Sequence, residues 1–441
     1  MSSSEVPPSS APPYPLEEEF WETDATRLRR WLPWLHLFQA FRIAMDYRKL
    51  LLAVLAVVAL AAGEWAFSQL PFAPKTFRAA WPWERGYLHA DSPAAFAETG
   101  VPSQRVSPLS SSPWLDLRVL RPYHEFISAG HPLVRPARSW GETATAWTKL
   151  LWLLLVSGVC GGAIARLAAL NLAGKDCSLR AALGYCLRRL ASFLGGPLLP
   201  VVAIFLLWLL CAAGGLVASI PFVGAWIAGA LWFLPLIFGL MMAIILLGAA
   251  AGWPLMYATV STEGSDAFDG LSRSYSYLFS RPWYALWLLL LTSVYGSVLV
   301  VFLHFVLDFG TQCAFWAVQS GMWETGLKTL APSEFPGESP LVPGAGMMTE
   351  FWMNLLRTAE PAFLFSFFWT AATIAYVLLR KSVDATPIDA VDEDLKPGDE
   401  FPLVGVPAVE RREAANGESP IPAPPPPTSP PPTASPPATA S

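Results

Sequence analysis

The sequence predicts an all-α protein: a polytopic helical transmembrane bundle of about six spans, with interfacial amphipathic helices and disordered termini. Three observations predict it. Between Leu50 and Leu379 run about six long apolar stretches, several of 20 or more residues without Asp, Glu, Lys or Arg. A hydrocarbon slab about 30 Å thick requires about 20 such residues of a helix. Only 14% of the 441 residues are charged and 54% are hydrophobic, whereas soluble domains carry about a quarter charged residues. Of the 20 tryptophans, many flank the apolar runs, among them Trp65, Trp147, Trp152, Trp226, Trp253, Trp283, Trp352 and Trp369. Amphipathic rings collect at the two membrane interfaces.

The elements follow in order. Residues 1–19 are rich in Ser, Pro and Glu and are predicted to be disordered. In 20–49, Trp31, Trp34, Leu35, Phe38, Phe41, Ile43 and Met45 interleave with Arg29, Arg30, Arg42 and Arg48. That pattern predicts an amphipathic helix lying in the headgroup plane. Nearly fifty residues precede the first apolar run, so it reads as a retained span and not a cleaved signal peptide. Within a membrane domain at 50–381 the spans are expected at about 50–67, 150–170, 197–218, 225–250, 283–307 and 361–379. The third and fourth make a hairpin with Pro221 in its turn, and Pro235 is predicted to kink the fourth. The 71–147 segment is expected as an irregular outer loop.

Segments 178–194 and 265–279 each open with a Ser that can cap a helix, then mix apolar, aromatic and basic positions. Both are predicted to lie along the inner surface. The tail, 382–441, is acidic and then Pro-rich, which predicts an extended coil without a packed core.

Lys and Arg near the span ends set orientation. They gather before the first span, between the second and third, between the fourth and fifth, and after the sixth (Arg380, Lys381). Both termini are therefore expected in the cytoplasm. The loop at 71–147 carries several Arg on the outer side, but loops above about 60 residues translocate largely regardless of charge.

Composition and motifs also exclude classes. A net charge of −5 without a basic stripe argues against a nucleic-acid partner. The five cysteines, Cys160, Cys177, Cys186, Cys211 and Cys313, include no C-x-x-C, so neither zinc site nor disulfide framework is implied. His124, Glu125 and His131 (HEFISAGH) miss the four-residue His spacing of a zincin. The phosphate-cradling and nucleophile-elbow glycine motifs are lacking in any suitable context. No catalytic residue, cofactor or metal ligand is predicted, and the chain is read as non-enzymatic.

The best candidate for polar chemistry is the pair His304 and Asp308, four residues apart on one face of the fifth span. An ionisable pair near lipid is a functional hypothesis, for instance a proton relay, although span ends also carry polar residues that reach water. Arg166 and Glu64 read as span-end residues that snorkel. Gly158 and Gly162, and Ser293 and Ser297, form small-xxx-small faces that let helices pack closely.

Three stretches, LPWLHLFQAFRIAMDYRKLLLAVLAVV, EGSDAFDGLSRSYSYLFSRPW and LLRKSVDATPIDAVDED, resemble a group of uncharacterised multi-pass membrane proteins of bacteria. The resemblance implies an integral protein of the bacterial inner membrane and transfers no functional residue. More loosely, the Pro-turn hairpin flanked by surface helices looks like the membrane domains attached to some glycerophosphodiester phosphodiesterases, whose catalytic domain has no counterpart here. The resulting expectation is a structural or assembly role, with membrane lipids and unidentified membrane proteins as partners. The alternative is a transporter or channel for a small solute.

Overall fold

In a computed structural model of the chain, residues 32–71, 81, 117–134, 140–221, 223–321 and 345–391 are described. Segment 1–19, the start of the 20–49 segment, most of the 71–147 loop and the tail beyond 391 lie outside the described residues. Every regular element among the described residues is helical. Six helices are long and apolar enough to cross a membrane: Tyr47–Ser68, Trp140–Leu172, Leu190–Ala218, Phe233–Glu263, Pro282–Val318 and Met347–Asp384. The chain is a multi-pass membrane protein.

In chain order, a 3-10 turn Pro33–Phe38 leads into α1 (Gln39–Ala44), and α2 (Tyr47–Ser68) is the first span. A 3-10 turn Leu117–Leu120 leads into α3 (Arg121–Val134). The second span is α4 (Trp140–Val156), a π-helical turn Ser157–Gly161, and α5 (Gly162–Leu172). After it come α6 (Leu179–Arg188), α7 (Leu190–Ala218), α8 (Val223–Ala230), α9 (Phe233–Glu263), α10 (Ala267–Ser280), α11 (Pro282–Gly321) and α12 (Ala345–Asp384).

Several helices overrun the apolar windows read from sequence. An uncharged window measures only the slab, while α12, for example, continues through Asn354, Arg357 and Glu360, all helix-compatible but polar. Pro235 breaks the fourth span one turn before itself: it has no N–H for the Leu231 carbonyl, and the helix is interrupted at Leu231–Trp232, between α8 and α9. The proline inside α9 is Pro254.

The second and sixth spans are central, with 89% of their apolar windows buried, whereas the third buries none of its window inside the chain. At the centre Trp253 meets Trp369 edge-on at 5.3 Å, and Tyr257 lies 5.0 Å from Trp369. Phe193, Phe365 and Phe368 close round them. The glycines of the second span permit this packing: a β-carbon on Gly162 would meet Phe193 Cε1 at 2.9 Å.

The 33–44 segment does not stand apart from the bundle. Leu37, Ala40 and Ala44 are fully buried. Trp34 packs on Trp287 and Phe38 on Tyr295, so the segment follows about 12 Å of the fifth span. The buried Lys49 ammonium donates to the Ile43 carbonyl at 2.9 Å and to Asn171 Oδ1 at 2.6 Å, tying α1 to the first two spans. An ammonium withdrawn from water needs such acceptors.

The two predicted surface helices exist as α6 and α10. Ser178 caps α6 by accepting from Ala181 N at 3.2 Å. The cap of α10 is Asp266, which accepts from Asp269 N at 2.9 Å, in place of the expected Ser265.

Candidate functional site

Two polar centres stand out. The first closes the end of the bundle where the basic residues gather, around the C-terminus of α9. The last carbonyls of a helix lack intrahelical donors and carry partial negative charge. Here they are met by cations and a phenol. Arg166 Nη1 donates to the Ser261 carbonyl at 2.9 Å, Tyr185 Oη to that of Val260 at 2.5 Å, and Arg189 to that of Gly264. Gly264 terminates the helix with φ 64°, a left-handed conformation that costs glycine nothing. Arg166, read from sequence as snorkelling, is therefore a buried cap, with its guanidinium 4.4 Å from the Tyr185 ring centre.

One residue before Gly264, Glu263 joins three elements. It accepts from Tyr376 Oη at 2.5 Å and from Arg380 Nη1 at 3.3 Å, and it pairs with Arg273 of α10. Arg380 Nη2 in turn donates to the carbonyls of Pro387 at 3.2 Å and Ala390 at 2.6 Å. Tyr277 donates to Asp384. Burial and this bond raise the Tyr277 phenol above its ordinary value. These bonds join α9, α10, α12 and the 387–390 segment, with Arg380 Nε buried without an acceptor, so this centre reads as a fastening.

The second centre is a cleft of about 270 Å³ towards the opposite end of the bundle, between α2, α3, α4 and α12. Its floor is apolar: Val57, Leu153, Leu364 and Phe365. Four charged side chains line it: Glu64 from α2, Lys149 from α4, and Arg121 and Glu125 from α3. Arg121 Nε donates to Glu125 Oε1 at 2.8 Å, one helical turn apart. Trp152 forms a wall, donating through Nε1 to the Ala59 carbonyl at 3.0 Å and lying edge-on to Phe67 at 6.1 Å. It fits only because Gly63 has no side chain: a β-carbon there would overlap the indole.

What positions α3 is an aromatic anchor. Phe126 stacks on Trp253 at 4.8 Å and 10°, and Tyr123 meets Phe368 edge-on at 5.3 Å. Tyr123 Oη donates to the Ala251 carbonyl at 3.2 Å. Just before α3, Val119 is fully buried and occupies the space left by Gly296 of the fifth span. Residues from the expected irregular loop thus reach the core and carry Arg121 and Glu125 with them.

His304 and Asp308 each bond to another residue. His304 Nδ1 lies 3.2 Å from Glu360 Oε2 on the sixth span, and Asp308 accepts from Gln312 Nε2 at 2.8 Å. Glu360 is 5% exposed and precedes Pro361, which lines the cleft. Glu64 lines the cleft, and a β-carbon on Gly158 would lie 3.4 Å from Leu190 and Phe193. Sequence reasoning missed Lys149, Arg121 and Glu125 as a group. The available signal was an Arg and a Glu at i and i+4 beside a Tyr and a Phe, inside a segment read as loop. No group of three or more His, Cys, Asp or Glu suited to a metal occurs among the described residues.

Comparison with family models, with curated sequences and with solved structures gives no match for this chain.

Proposed function

We propose that the chain is a non-enzymatic binding protein of the bacterial inner membrane, with both termini in the cytoplasm, that holds a small polar ligand in the cleft between α2, α3, α4 and α12. The observation that carries this reading is the set of four charged side chains on a largely apolar cavity within a membrane bundle. Ionisable groups there are costly and mark ligand or ion sites by default. The basic residues at the opposite end of the bundle support the orientation.

Beyond the cleft floor, Phe365 packs on Trp369 and so on the central aromatic block, which favours binding over conduction. The test is to purify the full chain in mild detergent and identify retained small molecules by mass spectrometry. A compound present with wild type and depleted in Glu64→Gln/Lys149→Gln supports the reading. Identical extracts from both proteins overturn it.

A second reading, an assembly scaffold, has its own observation: no residue in the apolar window of Leu190–Ala218 is fully buried by the rest of the chain. Affinity capture from solubilised membranes tests it. Solute flux in liposomes with no co-purifying protein would overturn that reading and restore the transporter alternative.

A further inference from the structure

We propose that the ligand of the cleft is a zwitterion: an ammonium and a phosphate or carboxylate joined by a short linker, continuing into a short apolar portion. The proposal rests on the binding reading above and names its ligand class.

Charge balance is the first argument. Each wall brings one acid and one base: Arg121 and Glu125 from α3, Glu64 and Lys149 from the first two spans. The four formal charges sum to zero. A ligand with net charge would leave one charge without a counter-charge in a cleft whose Arg121 and Glu125 side chains are only 28% and 32% exposed, which carries a cost. A zwitterion leaves none, since its anion can meet Arg121 or Lys149 while its ammonium meets Glu64 or Glu125. Charge-assisted hydrogen bonds of both signs are then available to one molecule.

Shape is the second argument. The floor at Leu364 and Phe365 has no polar side chain to offer, so the part of the ligand that reaches it must be hydrocarbon. The volume, about 270 Å³, lies just under the range of about 300–1,000 Å³ that takes drug-sized molecules. It suits a head group or a small free zwitterion, not a whole lipid. Both sources share the chemistry, and the experiment separates them.

The full-length protein in detergent is titrated with glycerophosphoethanolamine, with glycerophosphate, with ethanolamine and with a short-chain phosphatidylethanolamine. Binding is read by native mass spectrometry and by the rise in unfolding temperature, which follows affinity by mass action. Wild type is expected to prefer glycerophosphoethanolamine over either probe of one charge sign by about tenfold or more, the scale of one charge-assisted bond. Glu64→Gln should turn the preference towards glycerophosphate, and Lys149→Gln towards ethanolamine. Opposite inversions cannot come from misfolding, which lowers all binding together.

Tighter binding of the short-chain lipid than of its head group supports the zwitterion class with a lipid source. The reverse order supports it with a free solute as source. Equal binding of anionic and zwitterionic probes to wild type, or variants that do not invert the preference, overturns the zwitterion class and leaves the binding reading standing. Binding of none of the probes to wild type overturns the zwitterion class, while retention of some other compound in the extraction experiment still upholds the binding reading.

Discussion

The indole of Trp369 occupies the space that a β-carbon on Gly161 would need, its Nε1 only 2.7 Å from the ideal position of that carbon. Gly161 ends the π turn of the second span and Trp369 is fully buried at the middle of the sixth. The two central helices therefore approach at a point where only hydrogen fits.

Gly161→Ala should lower the unfolding temperature in detergent. Overpacking a filled core costs about 1–3 kcal/mol, more than the gain of up to about 1 kcal/mol that Ala brings to a helix interior. Gly184→Ala in α6 is the comparison, because a β-carbon there meets nothing within 4 Å; it should be neutral or stabilising. A thermal scan in which both variants move the same way would contradict this account of the packing.

The spans were legible because absence of charge over a slab-length run is a local property of sequence. Gly158 and Gly162 were legible as a close-packing face, but of Gly158, Gly161 and Gly162 it is Gly161, in the π turn, whose added β-carbon would come nearest a neighbouring side chain. The cleft was not legible. Tyr123 and Phe126 stand among Arg121, His124 and Glu125, so no apolar run marks α3. Its anchor, Trp253, lies about 130 residues further on and carries no pattern that points back to it. Arg166 was legible as a basic residue near a span end, but its acceptor is the end of a helix nearly a hundred residues away.

Glu263 fastens α9 to α12 through Arg380, which is only 4% exposed at its side chain. Glu263→Gln should cost about 3 kcal/mol, the lower end of what removing one partner of a buried pair costs. Much of this is the guanidinium left without its carboxylate. In a double-mutant cycle with Arg380→Gln, the pair should lose less than the sum of the single variants. Strictly additive losses in denaturant titrations would show the two residues to be uncoupled. Arg273, nearly half exposed at its side chain, should contribute well under 1 kcal/mol.

The cysteines report orientation. Cys313 is exposed about 46 Å along α11 from Pro282, past the thickness of the slab. A membrane-impermeant maleimide should label it in spheroplasts, whose inner membrane is intact. Cys177, partly exposed beside α6, should react only after permeabilisation. Cys186 is buried, which pushes its thiol pKa up, so it should stay unlabelled near pH 7.5 in the folded protein. Labelling of Cys177 before Cys313 would invert the proposed topology.

Tyr277 predicts an alkaline dependence. Burial and its bond to Asp384 hold the phenol's folded-state pKa above the ordinary value of 10.0. Below pH 10 the proton is bound in both folded and unfolded chains, and the contribution is fully present. Above pH 10 the unfolded chain releases it first, so stability falls as pH rises towards the folded pKa. Wild type should lose more stability than Tyr277→Phe between pH 9 and about 11.5, as followed by urea titrations. Parallel curves would remove Tyr277 from the fastening.

The third and fourth spans bring one last consequence. At 29 and 31 residues they are about 44 and 46 Å long, well beyond a slab of about 30 Å, and the outward length of α7 is braced by little except its own hairpin partner. Such an arm settles its excess by leaning, and the lean follows the thickness of the surrounding bilayer. Reconstitution into thin and thick lipids should swing this arm while the second and sixth spans hold still, which makes it the part of the molecule that feels the lipid most directly.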